Sequence, residues 1–148
     1  ADRLGLGLIH AQLLLLAGCP DKAKAALTVF RNTTTDPWYR DLSRLLLEEI
    51  SAVSLESQCH DNPEKQVTLQ TALGLQAEAD KRTDLAIKHY GLALDSSLNN
   101  WCEYALSIAR IQNLRTMKAK AKPFSKQSAQ IFSYTIPSSS TNHGVPRS

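Results

Sequence analysis

Apolar residues recur at helical spacing along most of the first 120 positions, and stop and start signals cut that stretch into about six helices. From Leu4 to Ala17 the chain is apolar on nearly every side, the pattern of a helix sandwiched between neighbours. Gly18-Cys19-Pro20-Asp21 ends it, and Pro-Asp opens the next helix. That helix, Lys22 to Phe30, sets Ala23, Ala26, Leu27 and Phe30 on one face, and Asn32-Thr33-Thr34-Thr35 breaks it. Asp36-Pro37 is a strong start, an acceptor at the cap followed by a proline in the first turn. Trp38, Leu42, Leu45, Leu46, Ile50 and Val53 then keep one stripe, predicting a helix over about 37–57. Asn62-Pro63 repeats the start signal for a helix to Ala79, and Asp84 to Leu94 forms its partner after a short turn. A last helix is expected from Trp101 to about residue 121, stopped by Pro123. Residues 123–148, rich in Ser, Thr and Pro, are expected to be a flexible basic tail, and Thr141 to Ser148 has the composition of an appended segment.

The stretch Val67 to Asn100 carries Leu73-Gly74, then Ala86 twelve residues after the glycine, then Tyr90 and Ala93-Leu94. This pattern resembles the tetratricopeptide repeat, a helical hairpin of 34 residues. Gln70, Ala77 and Leu98 depart from the Trp, Tyr and Pro that the motif prefers. A fainter copy lies at about 4–37, where Ala11 replaces the glycine and Ala23, Leu27 and Phe30 match by size. The resemblance covers about half the chain. It implies an all-α fold in which helix-turn-helix repeats (about 4–37 and 67–100) stack as a short right-handed solenoid over residues 1–122. An extra helix at about 37–57 and a capping helix at about 101–121 complete that reading.

In this family the first helix of each repeat lines a concave groove that holds a partner segment. The resemblance therefore implies a protein-interaction module, an adaptor or assembly subunit, with Leu8, Gln12, Leu15, Thr71, Leu75, Glu78, Ala105, Ala109 and Gln112 on the groove. Leu73, Gly74, Ala86, Tyr90 and Ala93 are then structural, with Gly74 and Ala86 where two helices cross and Tyr90 and Ala93 in the seam beyond. The groove positions lack the Lys, Arg and Asn clamp by which some members grip the acidic ends of heat-shock chaperones, so that partner is excluded. An extended or helical segment with apolar anchors suits them.

Composition agrees with helices: six Gly and six Pro among 148 residues are too few for a sandwich or barrel. Charge adds an asymmetry. All the acids lie at or before Glu103, whereas Arg110, Arg115, Lys118, Lys120, Lys122 and Lys126 follow without one. That basic stretch is the alternative working surface, for nucleic acid or an anionic membrane. Phe124 is the one aromatic interleaved with it, and it matches no nucleic-acid motif.

Candidate chemistry is sparse, and no enzyme is expected. Cys59-His60-Asp61 sets a thiol beside an imidazole, but neighbouring side chains on a helix or its flank do not face each other. His10, His60, His89 and His143 have no metal-ligand spacing, and His89 is expected on the exposed side of its helix. Glu48-Glu49 and Glu78/Asp80 read as charge on solvated faces, and Gly5 and Gly7 follow no strand that would make a phosphate loop. Cys19, Cys59 and Cys102, an odd number without a CxxC pair, point to neither a disulfide framework nor a zinc site, and a reducing compartment is the default. Asn32-Thr33-Thr34 matches a glycosylation acceptor, relevant only to a secreted chain. No apolar run reaches the 18 or so residues of a membrane span. The chain opens at Ala1 inside a helical pattern, as a fragment or processed chain would. No cofactor is expected.

Overall fold

The computed structural model describes the backbone of residues 5–139 and the side chains of residues 5–121. Every regular element among them is helical: α1 (Leu6–Leu16), α2 (Pro20–Thr33), α3 (Pro37–Leu46), α4 (Ala52–Glu56), a 3-10 turn (Ser57–Cys59), α5 (Pro63–Ala79), α6 (Thr83–Leu94) and α7 (Cys102–Ser139). The chain divides into two compact units, residues 1–111 and 112–148.

The start signals act as their chemistry requires. The Asp36 carboxylate accepts from the backbone N–H of Trp38 (2.8 Å) and Tyr39 (3.2 Å), and Pro37 occupies the first turn. The Asn62 side chain accepts from Lys65 N–H at 3.0 Å, again with a proline next in the chain. Each satisfies donors that the first turn of a helix leaves orphaned.

The stops are left-handed turns. After α1, Gly18 takes φ +78°, while its N–H reaches the Leu15 carbonyl (3.1 Å) and that of Cys19 reaches Leu14 (2.9 Å). After α5, Lys81 takes φ 64°, with its N–H to Glu78 (3.0 Å) and that of Arg82 to Ala77 (2.8 Å). This is the same left-handed closure made once with glycine and once without. A third closure corrects the helix expected over 37–57. Glu48 turns left-handed (φ 62°), Glu49 N–H bonds back to the Arg44 carbonyl at 2.8 Å, and α3 ends. The Glu49 carboxylate is held by Arg31 and lies 3.7 Å from Arg44 Nε. The chain becomes helical again only at α4, where Leu55 is buried while Val53, which continued the stripe, is 73% exposed. A second correction concerns the last helix. It runs through Pro123 to Ser139, although proline lacks the N–H for one intrahelical bond. Residues 140–148 of the expected tail lie outside the described residues.

The main core gathers Leu8, Ala11 and Leu27 from the first hairpin, Leu42, Leu45, Leu46 and Leu55 from α3 and α4, and Leu69 and Ala72 from α5. Trp38 Nε1 donates to Thr68 Oγ1 at 2.8 Å, tying α3 to α5. The α5–α6 hairpin is the tightest pairing. A Cβ on Gly74 would lie 2.5 Å from Cε1 of Tyr90, whose ring is fully buried.

The two hairpins share one register. A step of 63 residues relates the end of α1 at Leu16 to that of α5 at Ala79, Gly18 to Lys81, and the start of α2 at Pro20 to that of α6 at Thr83. The same step pairs buried positions: Leu8 with Thr71, Ala11 with Gly74, Gln12 with Leu75, Ala23 with Ala86, and Leu27 with Tyr90.

Candidate partner-binding site

The nine groove positions do not form one open face. Leu8, Gln12, Thr71 and Leu75 are buried, and Leu15 is half-buried. Thr71 Oγ1 lies 3.1 Å from Ser107 Oγ and donates to the Glu103 carbonyl at 3.4 Å, joining α5 to the start of α7. Gln12 is enclosed with its Nε2 lacking a hydrogen-bond partner. Glu78, expected on a solvated face, accepts from the Tyr90 hydroxyl (2.8 Å) and Arg110 Nε (3.1 Å), and pairs with a second guanidinium nitrogen of Arg110. Only Ala105, Ala109 and Gln112 are exposed. Burial of the first four follows from close packing of α1, α5 and α7, which excludes a partner chain at those positions.

Of the repeat positions, Gly74, Ala86, Tyr90 and Ala93 are buried, and Leu73 packs against the main core. In the basic stretch, Arg110 is engaged by Glu78, whereas Arg115, Lys118 and Lys120 are exposed along α7. The side chains of Lys122 and Lys126 lie outside those described.

The candidate chemistry disperses. Cys59 packs against the core and its Sγ donates to the Leu55 carbonyl at 3.5 Å, with burial raising its pKa. His60 is solvent-exposed, 3.5 Å from Asp61, so thiol and imidazole diverge. His89 is half-buried rather than exposed. Its Nδ1 lies 2.8 Å from Gln70 Oε1, and burial lowers its pKa. Cys102 is pushed up to about 11, first by burial and then by its hydrogen bond to Glu103, so its thiol stays protonated at neutral pH. All three cysteines are free, and no group of three His, Cys, Asp or Glu among the described residues is placed to hold a metal ion. No described helix is long and apolar enough to cross a membrane.

Two concave surfaces escaped the sequence reading. One, of about 300 Å³, is lined by Gly5, Leu6, Tyr39, Asn100, Trp101, Cys102 and Glu103. These residues open α1, α3 and α7, so its carboxylate is explained by the partial positive charge at helix starts. The other is a shallow groove of about 410 Å³ between α1 and α2, lined by Gly7, His10, Ala25, Ala26, Val29, Phe30 and Thr33. Its sequence signal is the all-round apolarity of Leu4 to Ala17, which predicts a neighbour on every side of α1. The structure leaves Leu6 and Leu13 exposed.

Comparison with protein-family models, with curated proteins and with solved structures yields no match.

Proposed function

We propose that this chain is a helical-repeat interaction module of the tetratricopeptide type, which holds a protein segment on an exposed helix face. The observation that carries the reading is the shared register of the two hairpins: helix ends, left-handed closures and five pairs of buried positions recur at one step of 63 residues. Stacked hairpins of this kind present rigid, extended surfaces suited to partner segments. The partner surface is drawn from exposed apolar and small residues, which include Ala105 and Ala109 of the expected groove. A chaperone's acidic tail remains a poor fit for a face without basic clamp residues.

Photo-crosslinking side chains placed at Leu13, Val29 and Ala109, one at a time in the full chain within its own cells, test this reading. Crosslinks to discrete proteins from at least one position are expected. A second reading rests on the exposed Arg115, Lys118 and Lys120 of α7, which would bind phosphate groups of nucleic acid or an anionic membrane. It requires retention on nucleic acid or anionic vesicles that collapses between low and physiological salt and is abolished by Lys118→Glu with Lys120→Glu. That result without any protein crosslink would overturn the module reading.

A further inference from the structure

Resting on the interaction-module reading, we infer that the cavity walled by Tyr39, Trp101 and Glu103 receives an arginine side chain of the partner segment. Tyr39 and Trp101 are shared between this cavity of about 300 Å³ and a second of about 170 Å³. The second reaches Asp36, Trp38, Glu64 and Lys65 at the starts of α3 and α5. Both tryptophans of the chain therefore stand on one surface.

Carboxylates supply the charge. Asp36, Glu64 and Glu103 all act on the Tyr39 hydroxyl, adding to the burial that holds it protonated. Among the described residues none of the three forms an ion pair, whereas Asp41, Glu49 and Glu78 each pair with an arginine. Asp36 is committed to capping α3. Glu103 is different, because it is 6% exposed and lines the cavity. Among the described residues its carboxylate accepts one bond, from the weakly donating Cys102 thiol to Oε2 at 3.2 Å. A Cβ on Gly5 would lie 3.1 Å from Glu103 Oε1 and 3.3 Å from the Tyr39 hydroxyl oxygen. Those two acceptors thus face one small space that the glycine leaves open. The start of α7 offsets about half a charge of the carboxylate. A buried carboxylate with charge left over calls for a cation that also donates hydrogen bonds.

The same surface already holds one cation. Lys65 Nζ stands 5.0 Å from the centre of the Trp38 ring and donates to Gln58 Oε1 at 3.2 Å. A guanidinium suits the neighbouring cavity better than a second ammonium would. It stacks flat on an indole, here Trp101, while its fork of N–H donors spans two acceptors, here Glu103 Oε1 and the Tyr39 oxygen.

The test uses the full chain, labelled with 15N, and the end-blocked peptide Gly-Gly-Arg-Gly-Gly beside its neutral citrulline twin. The two indole N–H signals, one from each tryptophan, report on the site directly. The arginine peptide is expected to move the Trp101 signal saturably, and the citrulline twin to leave it in place. Glu103→Gln and Trp101→Leu, each checked for folding by circular dichroism, are expected to weaken binding at least about threefold. Absence of a saturable shift overturns the proposal, as does equal binding of the two peptides or unchanged affinity in the folded variants. A photo-crosslinking side chain at the exposed Asn100, on the cavity wall, is expected to capture a partner segment that contains arginine. A captured segment without arginine also overturns the proposal. Crosslinks from Leu13, Val29 or Ala109 but none from Asn100 would remove the arginine site while the module reading stands. The absence of protein crosslinks at all of these positions would remove the module reading itself.

Discussion

Replacing Gly74 by alanine ought to reverse its effect on stability according to what stands at position 90. In the native chain the added Cβ falls 2.5 Å from Cε1 and 2.6 Å from Cδ1 of Tyr90, well inside van der Waals contact. The ring has no free direction in which to yield, being fully buried with its hydroxyl held by Glu78, which in turn pairs with Arg110. Overpacking of this kind costs ~1–3 kcal/mol. Against it stands the gain of ~1 kcal/mol when alanine replaces glycine inside a helix. Gly74→Ala should therefore lose about 1 kcal/mol, a fall of about 2–4 °C in the thermal midpoint for a chain of this size. The first hairpin contains the natural solution, because Ala11 and Leu27 occupy the equivalent positions and both are buried. With Tyr90→Leu already present, the clash is gone and the helix-forming gain of alanine remains. There Gly74→Ala should stabilise by up to ~1 kcal/mol, although Tyr90→Leu alone is destabilising through lost volume and the lost Glu78 bond. Urea unfolding of the four proteins, followed by circular dichroism, closes the cycle. The same sign in both backgrounds would refute the contact and the register that pairs the hairpins.

Two other outcomes follow from the turns and the buried phenols. Lys81→Gly should raise stability by roughly 0.5–1 kcal/mol, since relief of ~1–2 kcal/mol of left-handed strain exceeds the added freedom of the unfolded chain. Gly18→Ala, at the equivalent turn, should lower it, and thermal unfolding of both variants checks the pair. Burial raises the pKa of Tyr90 above its ordinary value of 10.0, with the Glu78 hydrogen bond and charge adding to the effect, and burial with Glu103 and Asp36 does so for Tyr39. The protonated phenols contribute stability that is fully present below pH 10.0 and is lost as the pH rises beyond it, because the unfolded chain ionises first. Each such group should steepen the fall by up to about 1.4 kcal/mol per pH unit, and Tyr90→Phe should remove one share of it. A pH titration of urea midpoints that shows no difference between Tyr90→Phe and the native chain above pH 10.0 would contradict the burial of that hydroxyl.

Local chemistry determined the helical class and most helix starts from the sequence alone. Asp36-Pro37 and Asn62-Pro63 work within three residues of themselves, so nothing distant is needed to recognise them. The spacing of Gly74, Ala86 and Tyr90 was equally legible, because a tight hairpin requires small residues opposite a large one at a fixed separation. The closure after Leu46 was hidden. Its left-handed residue is Glu48, a type that carries no turn signal and accepts the strain because the following backbone bonds and packing impose it. Hence the stripe through Val53 read as one helix. Burial was decided by tertiary structure wherever a polar residue met another helix. Glu78 and Thr71 looked like solvent-facing groove positions until Arg110, Tyr90 and Ser107 were brought to them from more than ten residues away. Conversely, the apolar character of α1 is written in its sequence, but only the packed chain reveals which face its own helices leave uncovered. Periodicity records how much of a helix seeks burial, and the count of neighbours that satisfy it belongs to the fold.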